Sequence, residues 1–513
     1  MAALRTARVL KKSKSLLPAL LFVSILAATC AAQPASPASI ETIQLDSSAP
    51  VTPFPHFWEK MFGSGRAILA LRDSYRRDLE KVRNATGFEY VRFHGIFDDD
   101  MGVYEEDHQG NPTYNFSYVD QVYDGLLARH VRPFVELGFM PKKLAAKPVL
   151  HPFWYRPSPS PPKDYAKWDG LISAFANHLV ERYGIEEVSQ WYFEVWNEPN
   201  IDFWAGEPKQ ATYFQLYDHT ARALKAVNPR LRVGGPSTAQ AAWADAFIRH
   251  VTQANVPADF VSTHVYANDS AQDVFGAGDP LPRDQMVCRA VQKVHEQIKA
   301  SAKPNLVLIW SEYNASYKNE PDVTDSPFMA PWLADTIDQC DGLVDVMSYW
   351  SFSDVFDEQG VVRQPFYGGF GLIAEGGIPK PAYNAFQLLH KLGNERVKVP
   401  SQSALVTKRE DGSWAIALWN LAPPGSTGEL KHFLVRLPPG SRDLQVLASR
   451  VDEKNGNVLP VYKSMGSPRY PTESQIRKLT LAAQLSPAKR LDVKDGSVAL
   501  EVSSPGLVLL EIR

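Results

Sequence analysis

Residues 191–200 read WYFEVWNEPN, and residues 305–314 read NLVLIWSEYN. Each stretch is a short run of apolar and aromatic residues that ends in polar residues, among them a glutamate. Such runs are typical of parallel strands that are buried on both faces. Both stretches are therefore predicted to be strands of an α/β sheet, with polar groups at their carboxyl ends.

Between about residues 58 and 395, similar runs alternate with amphipathic helical stretches such as residues 171–184. The predicted strands are WEKMFG (58–63), FEYVRFH (88–94), VRPFVELG (131–138), WYFEVWN (191–197), LRVGGP (231–236), DFVSTHVY (259–266), NLVLIWSE (305–312) and VDVMSYW (344–350). Eight strand–helix units predict a (β/α)8 TIM barrel over residues 58–394. An open doubly wound sheet is the alternative, but the sequence has no glycine-rich dinucleotide turn and no P-loop.

After about residue 395 the helical periodicity stops, and short strand-like segments with turn signals follow to residue 513. They include WAIALWNL (414–421), HFLVRL (432–437) and LVLLEIR (507–513). This pattern predicts a C-terminal β-sandwich over residues 395–513. The N-terminal segment 40–57, with ETIQLD at 41–46, is expected to add a strand to it.

Residues 1–32 have the pattern of a secretory signal peptide: five basic residues, the apolar stretch 16–28 and then small residues. A lipoprotein reading of Cys30 fits poorly, because Thr29 precedes it and Ala27 stands where leucine is usual. We therefore expect a secreted or periplasmic protein with no membrane segment beyond the signal peptide. The oligomeric state is left open.

The formal charge of −3 becomes more negative without the basic leader, so nucleic acid is not an expected partner. Beyond the leader the cysteines are Cys288 and Cys340, which allows at most one disulfide. Two buried thiols are an equally good interpretation.

The active site of such a barrel lies at the carboxyl ends of its strands, where the fourth strand leads into Glu198 and the seventh ends in Glu312. A buried carboxylate has a desolvation cost that a structural role seldom explains. Two glutamates facing each other across the barrel mouth could approach to about 5 Å, the separation at which one attacks while the other donates a proton. Taken singly, either motif could be an ordinary strand end; together they predict a catalytic carboxylate pair.

Other strand ends carry the polar and aromatic groups that sugars need for their hydroxyls and C–H faces. Asn197 is a candidate for a sugar hydroxyl, and Pro199 is expected to hold Glu198 in an extended conformation. The remaining candidates are His94, His264, Tyr266, Tyr317 and Trp350. Each histidine taken alone is more simply a satisfied core or surface imidazole.

Competing chemistries lack their signatures. Asp98, Asp99 and Asp100 have no partner at ligand spacing, and the sequence contains no HExxH motif or cysteine–histidine set. There is also no GxSxG nucleophile elbow. We therefore expect no metal and no cofactor.

The runs GFEYVRFHGIFDDDMGVY (87–104), ERYGIEEVSQWYFEVWNEPN (181–200), SEYNASY (311–317), SYWSFSDVF (348–356) and GGFGLIAEGGIPKP (368–381) resemble the β-xylosidases of glycoside hydrolase family 39. The resemblance covers about residue 45 to the C-terminus. It implies a barrel with a β-sandwich and a retaining two-step release of xylose from non-reducing ends, with a carbohydrate as the partner.

By motif position, the resemblance makes Glu198 the acid/base and Glu312 the nucleophile. It places around the sugar the side chains of His94, Asn197, Phe203, His264, Tyr266, Tyr317, Trp350, Asp357 and Glu358.

The chain departs from the family pattern at three points. Asp357 stands where glutamate is usual, the loop after Asn200 is one residue shorter, and Tyr367 replaces a common histidine. The family also resembles α-L-iduronidases, whose substrates carry a carboxylate that needs a cationic partner. If Asp357 and Glu358 face the sugar, they would repel a uronate, so xylose is the expected substrate. Other glycosidase activities on the same scaffold, including endo-acting and arabinose-directed ones, and a non-catalytic sugar-binding protein remain alternatives.

Overall fold

The computed structural model describes residues 40–276, 278–438 and 444–513. The predicted signal peptide, residues 1–32, lies outside the described residues. In the part of the chain that is described, no helix has both the length and the apolar character needed to cross a membrane.

The first twelve strands contain the whole barrel. In chain order they are β1 (Ile40–Gln44), β2 (Val51–Pro53), β3 (Met61–Gly63), β4 (Tyr90–Phe93), β5 (Tyr104–Glu106), β6 (Pro112–Tyr114), β7 (Arg132–Leu137), β8 (Tyr192–Val195), β9 (Arg232–Thr238), β10 (Phe260–Tyr266), β11 (Val307–Asn314) and β12 (Val346–Tyr349). Strands β3, β4 and β7–β12 are parallel and close on themselves, because β12 pairs with β3. The eight predicted barrel strands are thus confirmed.

Helices surround this barrel. They are α1 (Asp73–Arg83), α2 (Ser117–Leu127), α3 (Tyr165–Tyr183), α4 (Ile185–Val188), α5 (Lys209–Val227), α6 (Ala244–Gln253), α7 (Ala271–Phe275), α8 (Arg283–Lys299), α9 (Pro321–Thr324), α10 (Met329–Cys340) and α11 (Pro381–Leu389). Helix α3 buries Leu171, Phe175 and Leu179 as the sequence pattern predicts. Asp164 caps this helix by accepting hydrogen bonds from two backbone N–H groups of its first turn.

The C-terminal part forms two packed sheets, a separate two-stranded sheet of β13 and β14, and two further helices. Its elements are β13 (Ile373–Ala374), β14 (Ile378–Pro379), β15 (Glu395–Val397), β16 (Ala404–Lys408), β17 (Trp414–Asn420), β18 (Lys431–Arg436), β19 (Val446–Asp452), α12 (Leu459–Ser464), α13 (Glu473–Ala482), β20 (Lys489–Leu491), β21 (Ser497–Val502) and β22 (Gly506–Ile512). A seven-stranded sheet runs β2-β15-β16-β17-β22-β19-β20, and a three-stranded sheet runs β1-β18-β21. Strand β1 joins β18 in parallel, as expected for ETIQLD.

The expectation that helical structure ends at residue 395 is wrong. Helix α13 begins at a capping box, in which Thr472 accepts from the Gln475 backbone and Gln475 accepts from the Thr472 backbone. Its Leu479 is buried with Ile378 and Tyr462 in a small apolar cluster. One buried residue in ten leaves too weak a periodicity to indicate a helix, although the capping box was present in the sequence.

Cys288 of α8 and Cys340 of α10 form a disulfide with an S–S distance of 2.05 Å. The bridge joins two neighbouring helices of the barrel wall across a sequence separation of 52 residues. Because it restricts the unfolded chain, we expect a Cys288→Ala/Cys340→Ala variant to lose about 4 kcal/mol of unfolding free energy. Urea denaturation measures this loss; equal midpoints for the variant and the parent would contradict it.

Candidate active site

Glu198 and Glu312 meet in one cavity at the carboxyl end of the barrel. Glu312 lies in β11, and Glu198 follows β8. A carboxylate oxygen of Glu198 lies within 4.8 Å of a carboxylate oxygen of Glu312. The cavity has a volume of about 400 Å³, and both side chains line it.

Most of the predicted site residues line the same cavity. Its wall contains the predicted residues His94, Asn197, Phe203, Tyr266, Tyr317, Trp350 and Glu358. Sequence reasoning did not single out the other lining residues, Phe153, Ile201, Ala239, Gln240, Asp269, Gln359 and Phe370. Tyr317 is 45% exposed and lies at the rim, whereas the Trp350 ring is buried.

Two predicted residues take other positions. His264 is fully buried behind the cavity wall, with its Nδ1 3.0 Å from Oε1 of Glu198. Asp357 does not line the cavity, because both its carboxylate oxygens accept from Nε of Arg66 at 3.3 Å. The expectation that Asp357 faces the sugar is therefore not supported. Arg66, the cation that pairs with Asp357, is distant from it in sequence. The sequence pattern therefore could not predict this ion pair.

The backbone of Glu198 is not extended, contrary to the expectation drawn from Pro199. Its φ is 44°, in the left-handed region that a non-glycine residue seldom adopts. The Glu198 N–H donates to the carbonyl of Ser237 at 2.7 Å, which holds this conformation. Strained backbone at the proposed acid/base is the kind of geometry that clusters in active sites.

Glu312 is held by two strong donors. Arg92 Nη1 donates to Oε1 at 2.6 Å, and the Tyr266 hydroxyl donates to Oε2 at 2.6 Å. Burial raises the pKa of Glu312, while the nearby charges of Arg92 and His94 and the Tyr266 hydrogen bond oppose that rise. These contacts stabilise the ionised form that a nucleophile requires.

Glu198 has a different environment. Burial raises its pKa well above the usual glutamate range, and the negative charges of Glu312 and Asp269 add to the rise. Because the two carboxylates repel each other, the pair favours a state with one proton. That proton lies on Glu198, which has no direct cationic contact. One carboxylate and one carboxylic acid therefore face the same cavity.

Arg92 connects the pair Glu198 and Glu312 to the barrel interior. Its guanidinium is fully buried and donates to Glu194 at 2.7 Å, to Glu312 at 2.6 Å and to the Asn197 amide oxygen at 2.8 Å. It also lies 3.1 Å from Glu136, which hydrogen-bonds with His94 at 2.6 Å. Sequence reasoning missed Arg92, Glu136 and Glu194. The available signal was a charged residue inside each of three otherwise apolar strands.

Two groups of side chains in the described part of the chain have donor atoms close enough to hold a metal ion. One is Glu198, His264 and Glu312; the other is His56, Glu59 and His390, away from the cavity. In the second group, Nδ1 of each histidine lies 2.6 or 2.9 Å from the Glu59 carboxylate. These direct hydrogen bonds explain why the three side chains lie close together.

The chain matches the family model "Glycosyl hydrolases family 39" over residues 41–494. It is 38% identical to a β-xylosidase of Geobacillus stearothermophilus over 472 residues, which are 90% of this chain and 93% of that protein. It is also 38% identical to a β-xylosidase of Caldicellulosiruptor saccharolyticus, over 84% of this chain and 89% of the relative.

Among solved structures, the crystal structure of the GH39 enzyme from Xanthomonas axonopodis pv. citri superimposes with a TM-score of 0.83 at 35% identity. The alignment covers 93% of this chain and 98% of that one. The family match, the identities and the shared fold agree with one another over nearly the whole described chain. The chain therefore belongs to family 39 of the glycosyl hydrolases.

Proposed function

We propose that this glycoside hydrolase is a retaining β-xylosidase that releases xylose from the non-reducing ends of xylo-oligosaccharides or xylosides. The observation that carries the proposal is the pair of carboxyl groups, Glu198 and Glu312, with oxygens within 4.8 Å. Retaining enzymes use separations near 5 Å, whereas inverting enzymes need a wider gap for a water molecule.

In the first step, a carboxylate oxygen of Glu312 attacks the anomeric carbon and forms a covalent ester. The bond from that carbon to the leaving oxygen breaks, and the proton of Glu198 is transferred to this oxygen. Arg92 and Tyr266, which bind Glu312, orient the attacking oxygen.

In the second step, ionised Glu198 removes a proton from a water molecule whose oxygen attacks the same carbon. The ester bond to Glu312 breaks, and its electron pair returns to the carboxylate. Two inversions leave the product with the β configuration of the substrate. Glu198 regains its proton, so the cycle closes without any other reagent.

The charge of the cavity wall supports xylose over a uronic acid. Among the described residues that line it there is no lysine or arginine, whereas four carboxyl side chains are present: Glu198, Asp269, Glu312 and Glu358. A uronate carboxylate would enter without a cationic partner. Burial raises the pKa of Glu358 to about 8, which makes it a neutral donor for a sugar hydroxyl at neutral pH. Xylose has no carboxylate to accommodate.

The aromatic wall supports binding of a small sugar. Phe153, Phe203, Trp350 and Phe370 line the cavity with His94. Aromatic faces cover the C–H side of a pyranose, and a volume of about 400 Å³ lies at the small end of ligand pockets. The composition and size together fit a short xyloside.

The stereochemistry of the first product tests the proposal. Proton NMR of aryl β-xyloside hydrolysis should show β-xylose first, with the α anomer appearing only by mutarotation. An initial α product would exclude the two-step scheme. A panel of aryl xylosides, arabinosides and iduronides tests the substrate, and binding without turnover of any glycoside would indicate a sugar-binding protein.

The pH profile of kcat/KM gives a second test. The first step needs Glu312 ionised and Glu198 protonated, so activity should fall at low pH as Glu312 gains a proton. It should fall again as pH rises through the raised pKa of Glu198. We expect this basic limb to lie above the ordinary glutamate range of about 4.3. A basic limb at or below the ordinary glutamate range of about 4.3 would contradict the assignment.

We also propose that residues 1–32 direct the protein to the periplasm or the medium and are then removed. The support is the order of basic, apolar and small residues in that segment. Mass spectrometry of the N-terminus after expression in a bacterial host with cell fractionation tests this. An intact N-terminus on cytoplasmic protein would contradict it.

A further inference from the structure

A chain of buried side chains runs from the barrel interior to the acid/base. Ser311 Oγ donates to Glu194 Oε1 at 2.6 Å, and it lies 3.1 Å from Nε2 of His264. Nδ1 of the same imidazole lies 3.0 Å from Oε1 of Glu198. Glu194, Ser311 and His264 are fully buried, so water does not compete for these contacts.

The direction of the hydrogen bonds can be worked out from the Glu194 end. Nε of Arg92 donates to Glu194 Oε2 at 2.7 Å, so this carboxylate is one half of an ion pair and can only accept. Ser311 has a single hydroxyl hydrogen, and it is used on Glu194. Its oxygen can therefore only accept from His264, which places the imidazole hydrogen on Nε2.

The competing arrangement would have Ser237 donate to Nε2. Ser237 Oγ lies 3.5 Å from that nitrogen, against 3.1 Å for Ser311. A hydroxyl contact at 3.5 Å is at the limit of hydrogen bonding. The shorter contact, which Glu194 supports, determines the tautomer.

We propose that Glu194 and Ser311 are positioning residues that fix the Nε2–H tautomer of His264, so that its Nδ1 lone pair accepts a hydrogen bond from the protonated carboxyl of Glu198. This rests on the proposed role of Glu198 as acid/base. Burial lowers the pKa of His264 well below its usual value, and the positive charges of Arg92 and His94 lower it further, so the ring stays neutral. A neutral ring with its hydrogen on Nε2 can offer Glu198 only a lone pair.

The tautomer serves both steps of the reaction. Before the first step, the lone pair at Nδ1 accepts a hydrogen bond from protonated Glu198 and stabilises the acid. This hydrogen bond breaks when the proton moves to the leaving oxygen. After proton transfer, the same lone pair faces a carboxylate, which makes Glu198 a stronger base for water in the second step. The opposite tautomer would donate to the carboxylate and weaken both roles.

Several other charged groups face Glu198 and His264, and the test must leave them unchanged. They come from β4 and the residue that follows it, from β11 and from the loops after β10 and β12: Arg92, His94, Glu312, Asp269 and Glu358. Ser311→Ala alters none of these charges. It removes the group that receives the Nε2 hydrogen and, with it, the hydrogen bond from Ser311 to Glu194.

In Ser311→Ala, His264 becomes free to place its hydrogen on Nδ1 and donate to ionised Glu198. We expect the basic limb of kcat/KM for phenyl β-xyloside to move down by about one pH unit, with the acidic limb unmoved. The matched control is Ser348→Ala on β12, since Ser348 is equally buried and its hydroxyl has no partner among the described residues. With a dinitrophenyl leaving group, which needs no proton, the shift should vanish. A lower rate with an unmoved basic limb would overturn the proposal.

Neutron diffraction of the deuterated wild-type protein reads the tautomer without any activity assay. We expect deuterium on Nε2 of His264 and between Nδ1 and Glu198 Oε1. In Glu194→Gln, the amide NH2 would donate to Ser311, whose hydroxyl then donates to Nε2, and the His264 deuterium should move to Nδ1. Deuterium on Nδ1 in the wild type would overturn the proposal. A wild type with the expected tautomer but no xylosidase activity would instead refute only the proposed function.

Discussion

Glu312→Gly should lower kcat for aryl β-xylosides by about 10⁴-fold or more, because the variant lacks the carboxylate that is proposed to form the covalent intermediate. Glu312 is the carboxylate that receives both the Arg92 and the Tyr266 hydrogen bonds, so its oxygen is held in position before substrate arrives. Continuous release of a dinitrophenol from its β-xyloside measures the loss. Activity within tenfold of the parent would mean that Glu312 is not the nucleophile.

Azide distinguishes the two glutamates by the product that it forms. In Glu312→Gly, azide can enter the vacated space and displace the leaving group directly, which gives the α-xylosyl azide. In Glu198→Ala the covalent ester still forms from an activated substrate, and azide attacks it from the opposite side to give the β azide. The two variants serve as controls for each other. A β azide from the Glu312 variant or an α azide from the Glu198 variant would reverse the proposed roles.

The sequence contains most of what determines the fold. Parallel strands that are buried on both faces are mainly apolar, so β8, β10 and β11 are visible in the sequence as short runs rich in apolar and aromatic residues. Helix α13 is not visible, because it covers a small satellite cluster and needs only a narrow apolar face. A helix or strand that buries more apolar surface is therefore easier to recognise from the sequence pattern.

Some residues of the site could be predicted from the order of the strands, and others could not. The glutamates, His94, Tyr266 and Trp350 follow or end strands, and strand order alone brings strand ends together. Asp357 lies in a loop, and its direction is set by Arg66, a partner 291 residues away in sequence. The role of His264 behind the cavity wall likewise depends on which of its ring nitrogens faces Ser311. This orientation cannot be predicted from the sequence.

Arg92→Met should be the most damaging single substitution that leaves both Glu198 and Glu312 in place. It keeps an unbranched apolar stem but removes the cation that lies 2.7 Å from Glu194, 2.6 Å from Glu312 and 3.1 Å from Glu136. Breaking a buried ion pair by removing one partner costs about 3–5 kcal/mol, because the other charge stays buried. We expect a loss of that size in urea denaturation at neutral pH, together with a large fall in kcat.

The pH dependence of this loss separates charge from packing. In the variant, the buried carboxyls are no longer compensated, so the folded state should gain stability by taking up protons as pH falls. The difference in unfolding free energy between parent and variant should therefore shrink toward acid pH. Arg232→Met is the control, since Arg232 also lies in a barrel strand but contacts the Trp191 carbonyl and the Tyr192 ring, with no carboxylate among its described contacts. A loss that stays constant with pH, or an equal loss in Arg232→Met, would show that Arg92 acts by filling space. The ion-pair network would then not be what positions Glu312.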